Sequence, residues 1–271
     1  MILLDAVTFH DPGPGERDGF PFTVPAIGSM LDEPVRFETP VTFLVGENGS
    51  GKSTFLEGLA CAVALPGIGA ADPSTDPTLQ FGRKLAEHAK VRWRLRHPHR
   101  GYFFRAEDFF GFTKRMDRLK AELLVEAAEI RNDRARSEYA RELGAGTLLG
   151  QARAIDDRYG ASGLDARSHG EQFLDLFSAR CLPGGIYLLD EPEAPLSPAR
   201  QLTFLSMIKT MQNEGSQFVI ATHSPMLLAL PGARILSFDG GNIREASFET
   251  LEHVQIMRSF LEDPDAYLRH L

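Results

Sequence analysis

The segment GENGSGKST, residues 46–54, has the residue types and spacing of a loop that holds phosphate: Gly46, four residues, then Gly51, Lys52 and Ser53. For successive backbone N–H groups to curl inward onto an anion, glycines are needed where a Cβ would not fit. A helix starting here would aim its free N–H groups and dipole at the same anion. Lys52 would reach the β- and γ-phosphates, and the Ser53 hydroxyl would help hold Mg²⁺. The candidate ATP-binding set is Gly46, Glu47, Asn48, Gly49, Ser50, Gly51, Lys52, Ser53 and Thr54. An apolar strand-like run precedes it and an amphipathic helix-like run follows. That context leaves little room for an incidental Gly-rich turn.

Two further segments end apolar runs in polar groups. IYLLDEPE (186–193) delivers Asp190, a candidate Mg²⁺ ligand, and Glu191, a candidate to polarise attacking water. Alone, the pair reads equally well as an acidic turn after a buried strand; the upstream loop decides for the catalytic reading. FVIATHSP (218–225) delivers His223. A lone histidine there is more often a core or turn residue, but its place after the Asp-Glu strand points to a γ-phosphate contact. A fourth segment, SHGEQ (168–172), has Ser168 and Glu171 at capping-box spacing. It opens EQFLDLFSARC, whose Phe173, Phe177 and Cys181 share a helix face. Such an end caps a structural helix and also attracts anions, and we read it as doing both.

These residues must be positioned by the rest of the 271-residue chain. Apolar residues make up 43% and charged residues 24%, which suits a globular domain with an ample core. The formal charge of −8 does not favour nucleic acid or anionic membrane as a whole-chain partner. Two isolated cysteines, Cys61 and Cys181, fit a reducing, cytoplasmic setting as small core residues. The start MILLDAVTFHD has no basic region of a signal peptide, and no apolar run is long enough to span a membrane. Strands are expected at 2–9, in FTVPAI, in VRFETPVTFLVG and at Val91, Trp93 and Leu95. A helix is expected over KSTFLEGLACAVAL, and charged helical sequence fills 114–142. Helix and apolar strand alternate after Gly170, followed by a hairpin with Gly-Gly at its turn and a closing helix from about Leu251. The pattern predicts an α/β fold around a mainly parallel sheet.

The ordered set resembles the ABC-type P-loop ATPases: Walker A loop, signature, Walker B strand ending Asp-Glu, and switch histidine. The likeness spans roughly 1–62 and 163–245. It implies an ABC-type ATPase head over 1–271, with a mainly parallel central sheet, an antiparallel β part and a helical insertion at 110–165. It also implies Mg²⁺ as cofactor, ATP hydrolysis, and an ATP-dependent head-to-tail homodimer in which Ser168, Gly170 and Glu171 contact ATP held by the partner. The family signature commonly reads L-S-G-G-Q. Here Arg167 and His169 depart from it, and Glu171 stands where Gln is usual. DEPE and THSP resemble the RecF/SMC-like, non-transporter branch and the stand-alone AAA-family ATPases more than transporter motors. A transporter's nucleotide-binding subunit is the alternative.

YFFRAEDFF (102–110) falls where ABC enzymes carry a glutamine loop, with Glu107 as a substitute. APLS falls at the dimer-contacting D-loop, with Ser197 where Asp is usual. Phe20 and Phe22 are candidates to stack on adenine. Residues 83–105 hold eight basic side chains and one acid, Glu87, and Arg92, Arg94 and Arg96 alternate along the expected strand. A solvated face, or one paired with acids, is the bland reading; a contact to nucleic-acid phosphates is the sharper one. The expected partners are therefore ATP, a second copy of the chain, and nucleic acid or an effector protein.

Overall fold

A computed structural model describes residues 1–67, 76–94, 100–159 and 169–269. The strands are β1 (Leu4–Phe9), β2 (Val35–Arg36), β3 (Val41–Val45), β4 (Ala89–Trp93), β5 (Gly101–Arg105), β6 (Ile186–Asp190), β7 (Gln217–Ala221), β8 (Arg234–Ser237) and β9 (Arg244–Ala246). The α-helices are α1 (Pro25–Ser29), α2 (Lys52–Ala62), α3 (Gln80–Ala86), α4 (Ala106–Asn132), α5 (Glu138–Tyr159), α6 (His169–Arg180), α7 (Pro198–Asn213), α8 (Pro225–Leu228), α9 (Glu252–Glu262) and α10 (Pro264–Leu268).

The main sheet has the order β5-β6-β7-β3-β8-β9, and every pairing is parallel except β8 with β9. Strands β3, β6 and β7 are buried along their whole length, as their continuous apolar sequences require. Their alternate residues feed two cores. Leu44, Leu188, Val219 and Leu236 face a core shared with α2 and with a three-stranded antiparallel sheet, β2-β1-β4. Phe43, Leu189, Phe218 and Ile220 face the other core, where Phe173 and Phe177 of α6 pack edge-on against Phe204 of α7. The two sheets are tied by Gln217, whose Oε1 accepts from Leu3 and Leu4 N–H at 2.8 Å. The fold class is thus the expected one: a mainly parallel sheet, an antiparallel part and inserted helices.

Several local expectations change. FTVPAI is not a strand: Pro25 sits in the first turn of the short helix α1, where its fixed φ and missing N–H are tolerated. Helix α3 lies in a stretch for which no element was expected. The helical insertion begins at Ala106, so YFFRAEDFF is half strand and half helix. Leu95, Arg96 and Ser168 lie outside the described residues. Among the described residues, no helix is long and apolar enough to cross a membrane.

Candidate nucleotide-binding site

The parallel strands end side by side, and each carries a polar group there. Register pairs Arg105 with Asp190, Asp190 with Ala221, and Val45 with Ser237. The loop 46–51 follows β3, His223 lies two residues past β7, and Asp239 two past β8. Open α/β sheets bind ligands outside these carboxyl ends.

The loop closes by glycines where the chain demands them. Gly51 has φ 106° directly before α2, and a Cβ there would meet Val24 Cγ1 at 2.8 Å, so α1 and its flank pack over the loop. Gly46, with φ 147°, lies against Ser50 Oγ and Asp239 Oδ1. Glu47, Asn48 and Gly49 form an exposed tip, and Thr54 is half-buried in the first turn of α2. Lys52 is buried and donates from Nζ to Gly46 O at 2.6 Å and Glu47 O at 2.9 Å. Burial lowers its pKa, against the opposing pull of Asp190, Glu191, Asp239 and Glu193.

Asp190 is buried at the end of β6, and its carboxylate accepts from the Ser53 hydroxyl. Burial raises its pKa to about 6, helped by the charges of Glu191 and Glu107 and opposed by Ser53 and Lys52. Its Oδ1 has no hydrogen-bond partner. A buried acceptor without a donor is costly, and a hard cation would meet its need. Among the described residues, no three His, Cys, Asp or Glu side chains converge on a metal. One carboxylate and a hydroxyl, completed by phosphate and water, is a donor set that suits Mg²⁺. The residues present therefore fit that ion.

Glu191 has φ 50°, a left-handed conformation rare for a non-glycine residue and often found at functional sites. Its N–H donates to Ala221 O at 2.9 Å, which pins the bend to β7 and leaves the side chain exposed. The next acid, Glu193, accepts from His223 N–H at 2.8 Å. His223 Nε2 is buried without a partner, and burial, then the charge of Lys52, lowers its pKa. Gly170 and Glu171 lie at the start of α6, on the loop that follows Asp190: a Cβ at Gly170 would stand 2.9 Å from Pro195 O.

Other residues enter that sequence reading passed over. Asp239 Oδ1 accepts from Glu47 N–H at 2.8 Å, anchoring the loop's entry; in the sequence it registered only as part of a Gly-Gly turn. His253, on α9, has a buried, unpartnered Nε2, and its pKa is lowered by burial and then by His223. Arg105, taken as one of a basic run, is buried in a carboxylate cluster. It reaches Asp108 at 2.8 Å, Glu107 at 3.2 Å, Glu57 at 3.3 Å and Asp76 at 3.6 Å. A charged residue ending the run GYFF, as Asp190 ends IYLL, was the available signal. Glu57 is four residues past Ser53 on the same helix face, and burial raises its pKa to about 7 despite Arg105.

Two expectations fare less well. Phe22 is only 3% exposed, packed on His88 and under Lys84, so it has no free face for adenine; Phe20 is exposed and rests edge-on against Phe81. Of the described part of the basic run, Arg105 is buried among acids, while Arg92 and Arg94 lie 2.5 and 3.8 Å from Asp5, as in the reading of a face paired with acids.

Comparison with known proteins finds partial matches to two family models and to curated relatives. A family model described as "AAA domain" matches residues 24–141, and one described as "AAA domain, putative AbiEii toxin, Type IV TA system" matches 172–229. The chain is 26% identical over 204 residues to a macrolide export ATP-binding/permease protein MacB of Psychrobacter arcticus, covering 74% of this chain and 28% of that protein. The MacB of Sodalis glossinidius is 29% identical over 207 residues, with the same coverage. The chain thus spans under a third of the length of these curated relatives. Among solved structures, the Smc head domain of Pyrococcus furiosus aligns with 97% of this chain and 99% of its own, at 14% identity and TM-score 0.45. A nucleotide-free ATP-binding cassette of an ABC transporter aligns with 100% and 99%, at 15% identity and TM-score 0.46. Motif order, sheet topology and the two AAA-domain matches, each over less than half of the chain, agree with the fold of an ABC-type P-loop ATPase.

Proposed function

We propose that this protein binds Mg-ATP at the strand ends, hydrolyses it, and closes as a head-to-tail dimer over two ATP molecules. The observation that carries the reading is one cluster: buried Lys52, the Ser53–Asp190 hydrogen bond and the unpartnered Asp190 Oδ1. In this reading the N–H groups of residues 46–54 bind the phosphates, and Lys52 exchanges its two loop carbonyls for phosphate oxygens. Ser53 and Asp190 would hold Mg²⁺, which when bound would neutralise phosphate charge. Glu191 orients the attacking water and takes its proton, and His223 contacts the γ-phosphate. Gly170 and Glu171 would meet the partner's nucleotide together with Ser168.

Steady-state ATPase assays test the chemistry. Lys52→Ala should lose turnover, and Glu191→Gln should keep ATP binding while kcat falls on the order of 10²–10⁴-fold. Unchanged turnover in Lys52→Ala would refute the phosphate site.

The work coupled to this cycle is DNA-related or effector-coupled. Pairing of Arg92 and Arg94 with Asp5 and burial of Arg105 favour an effector protein. Retention of DNA on a filter at low salt, lost when Arg92 and Arg94 become Glu, would reverse that preference. The similarity to MacB favours a second reading, an ATP-binding subunit that serves a membrane permease; co-purification with a membrane component would select it.

A further inference from the structure

Gly170 and Glu171 are both engaged by one residue of their own chain, Arg200 in the first turn of α7. Arg200 Nη2 donates to Glu171 Oε1 at 2.6 Å, with the two side chains 29% and 47% exposed. The stem of the same arginine covers Gly170, where a Cβ would stand 2.7 Å from Arg200 Cδ. The neighbouring Gln201 reaches the other way: its Oε1 accepts from Ser224 Oγ at 2.6 Å, and its Nε2 donates to Leu196 O at 3.3 Å. Residues 200 and 201 thus join the start of α6, the loop after Glu193 and the turn after His223.

An ion pair this exposed contributes little to folding by itself. Its chemistry matters more to what α6 presents. In the sandwich reading Glu171 is an acid at the edge of a contact for triphosphate, where an uncompensated carboxylate would repel the ligand. Arg200 supplies the missing charge through Nη2, while its stem lies over Gly170.

We propose that Arg200 is a positioning residue of the trans ATP contact, neutralising Glu171 and fixing the start of α6 for the nucleotide of a second copy. The inference rests on the ATP-sandwich reading above.

The test is a double-mutant cycle in the Glu191→Gln background at saturating Mg-ATP, reading dimer affinity by analytical ultracentrifugation. Arg200→Gln keeps the stem over Gly170 and removes the guanidinium. It should weaken the dimer on the order of tenfold, whereas the same change made with Glu171→Gln should cost less than about twofold. Thermal midpoint and monomer affinity for Mg-ATP should not move. Arg200→Gln that dimerises as well as its parent, or weakens the dimer equally with and without Glu171, would overturn the inference and leave the sandwich standing. So would a parallel loss of thermal stability or monomer ATP affinity, which marks a merely structural arginine. A Glu191→Gln parent that stays monomeric would overturn the sandwich and this inference with it.

Discussion

At the scale of single residues, Asp190 faces opposing demands. Burial, with the nearby charges of Glu191 and Glu107, makes its charge unfavourable, yet the proposed metal role requires the ionised form. The folded-state pKa, about 6, lies above the ordinary value of 3.8, so folding takes up a proton between these values. That contribution to stability is present at low pH and lost as pH rises through about 6. Metal binding runs the other way, since Mg²⁺ must displace the proton. Mg²⁺-dependent ATP affinity should therefore fall as pH drops through about 6, with proton release seen when calorimetry is repeated in buffers of different ionisation enthalpy. An affinity flat with pH and no proton release would contradict this.

At the scale of elements, α2 carries both the phosphate lysine and a misfit acid, Glu57. Its pKa of about 7 means that above neutrality a charge is held where burial opposes it, and Arg105 compensates only in part. The sign follows as for Asp190: Glu57 weakens the fold as pH rises from its ordinary 4.5 through about 7. Glu57→Gln should therefore raise the thermal midpoint at pH well above 7 and change it little near pH 4.5. A midpoint lowered at pH well above 7 would show that the Arg105 contact outweighs burial. Such elements were unevenly legible in the sequence. The phosphate loop, β6 and β7 are local patterns, a few apolar residues ending in a chemical group, and these could be read directly. Helix α3 could not, because Gly82 breaks its pattern: a Cβ there would meet the Glu57 backbone at 3.0 Å. FTVPAI shows strand-like residues, but Pro25 and the packing of Val24 on Gly51 set its path. Arg105, Asp239 and Arg200 were missed as site residues because their partners lie far away in sequence and meet them only through sheet register and helix packing.

At the scale of the whole molecule, the account turns on two copies sharing two nucleotides. In the proposed mechanism Glu191, on the bend after Asp190, acts on water and does not hold the phosphates. Its amide is nearly isosteric, so Glu191→Gln should bind ATP and fail to consume it. Persistent ATP then favours whatever state binds it better. The most direct measurement is size-exclusion chromatography with light scattering on Glu191→Gln, with and without saturating Mg-ATP. The expected result is twice the monomer mass with Mg-ATP, the monomer mass without it, and no dimer when Lys52→Ala is added to the same chain. A Glu191→Gln protein that binds Mg-ATP and keeps the monomer mass would contradict the account.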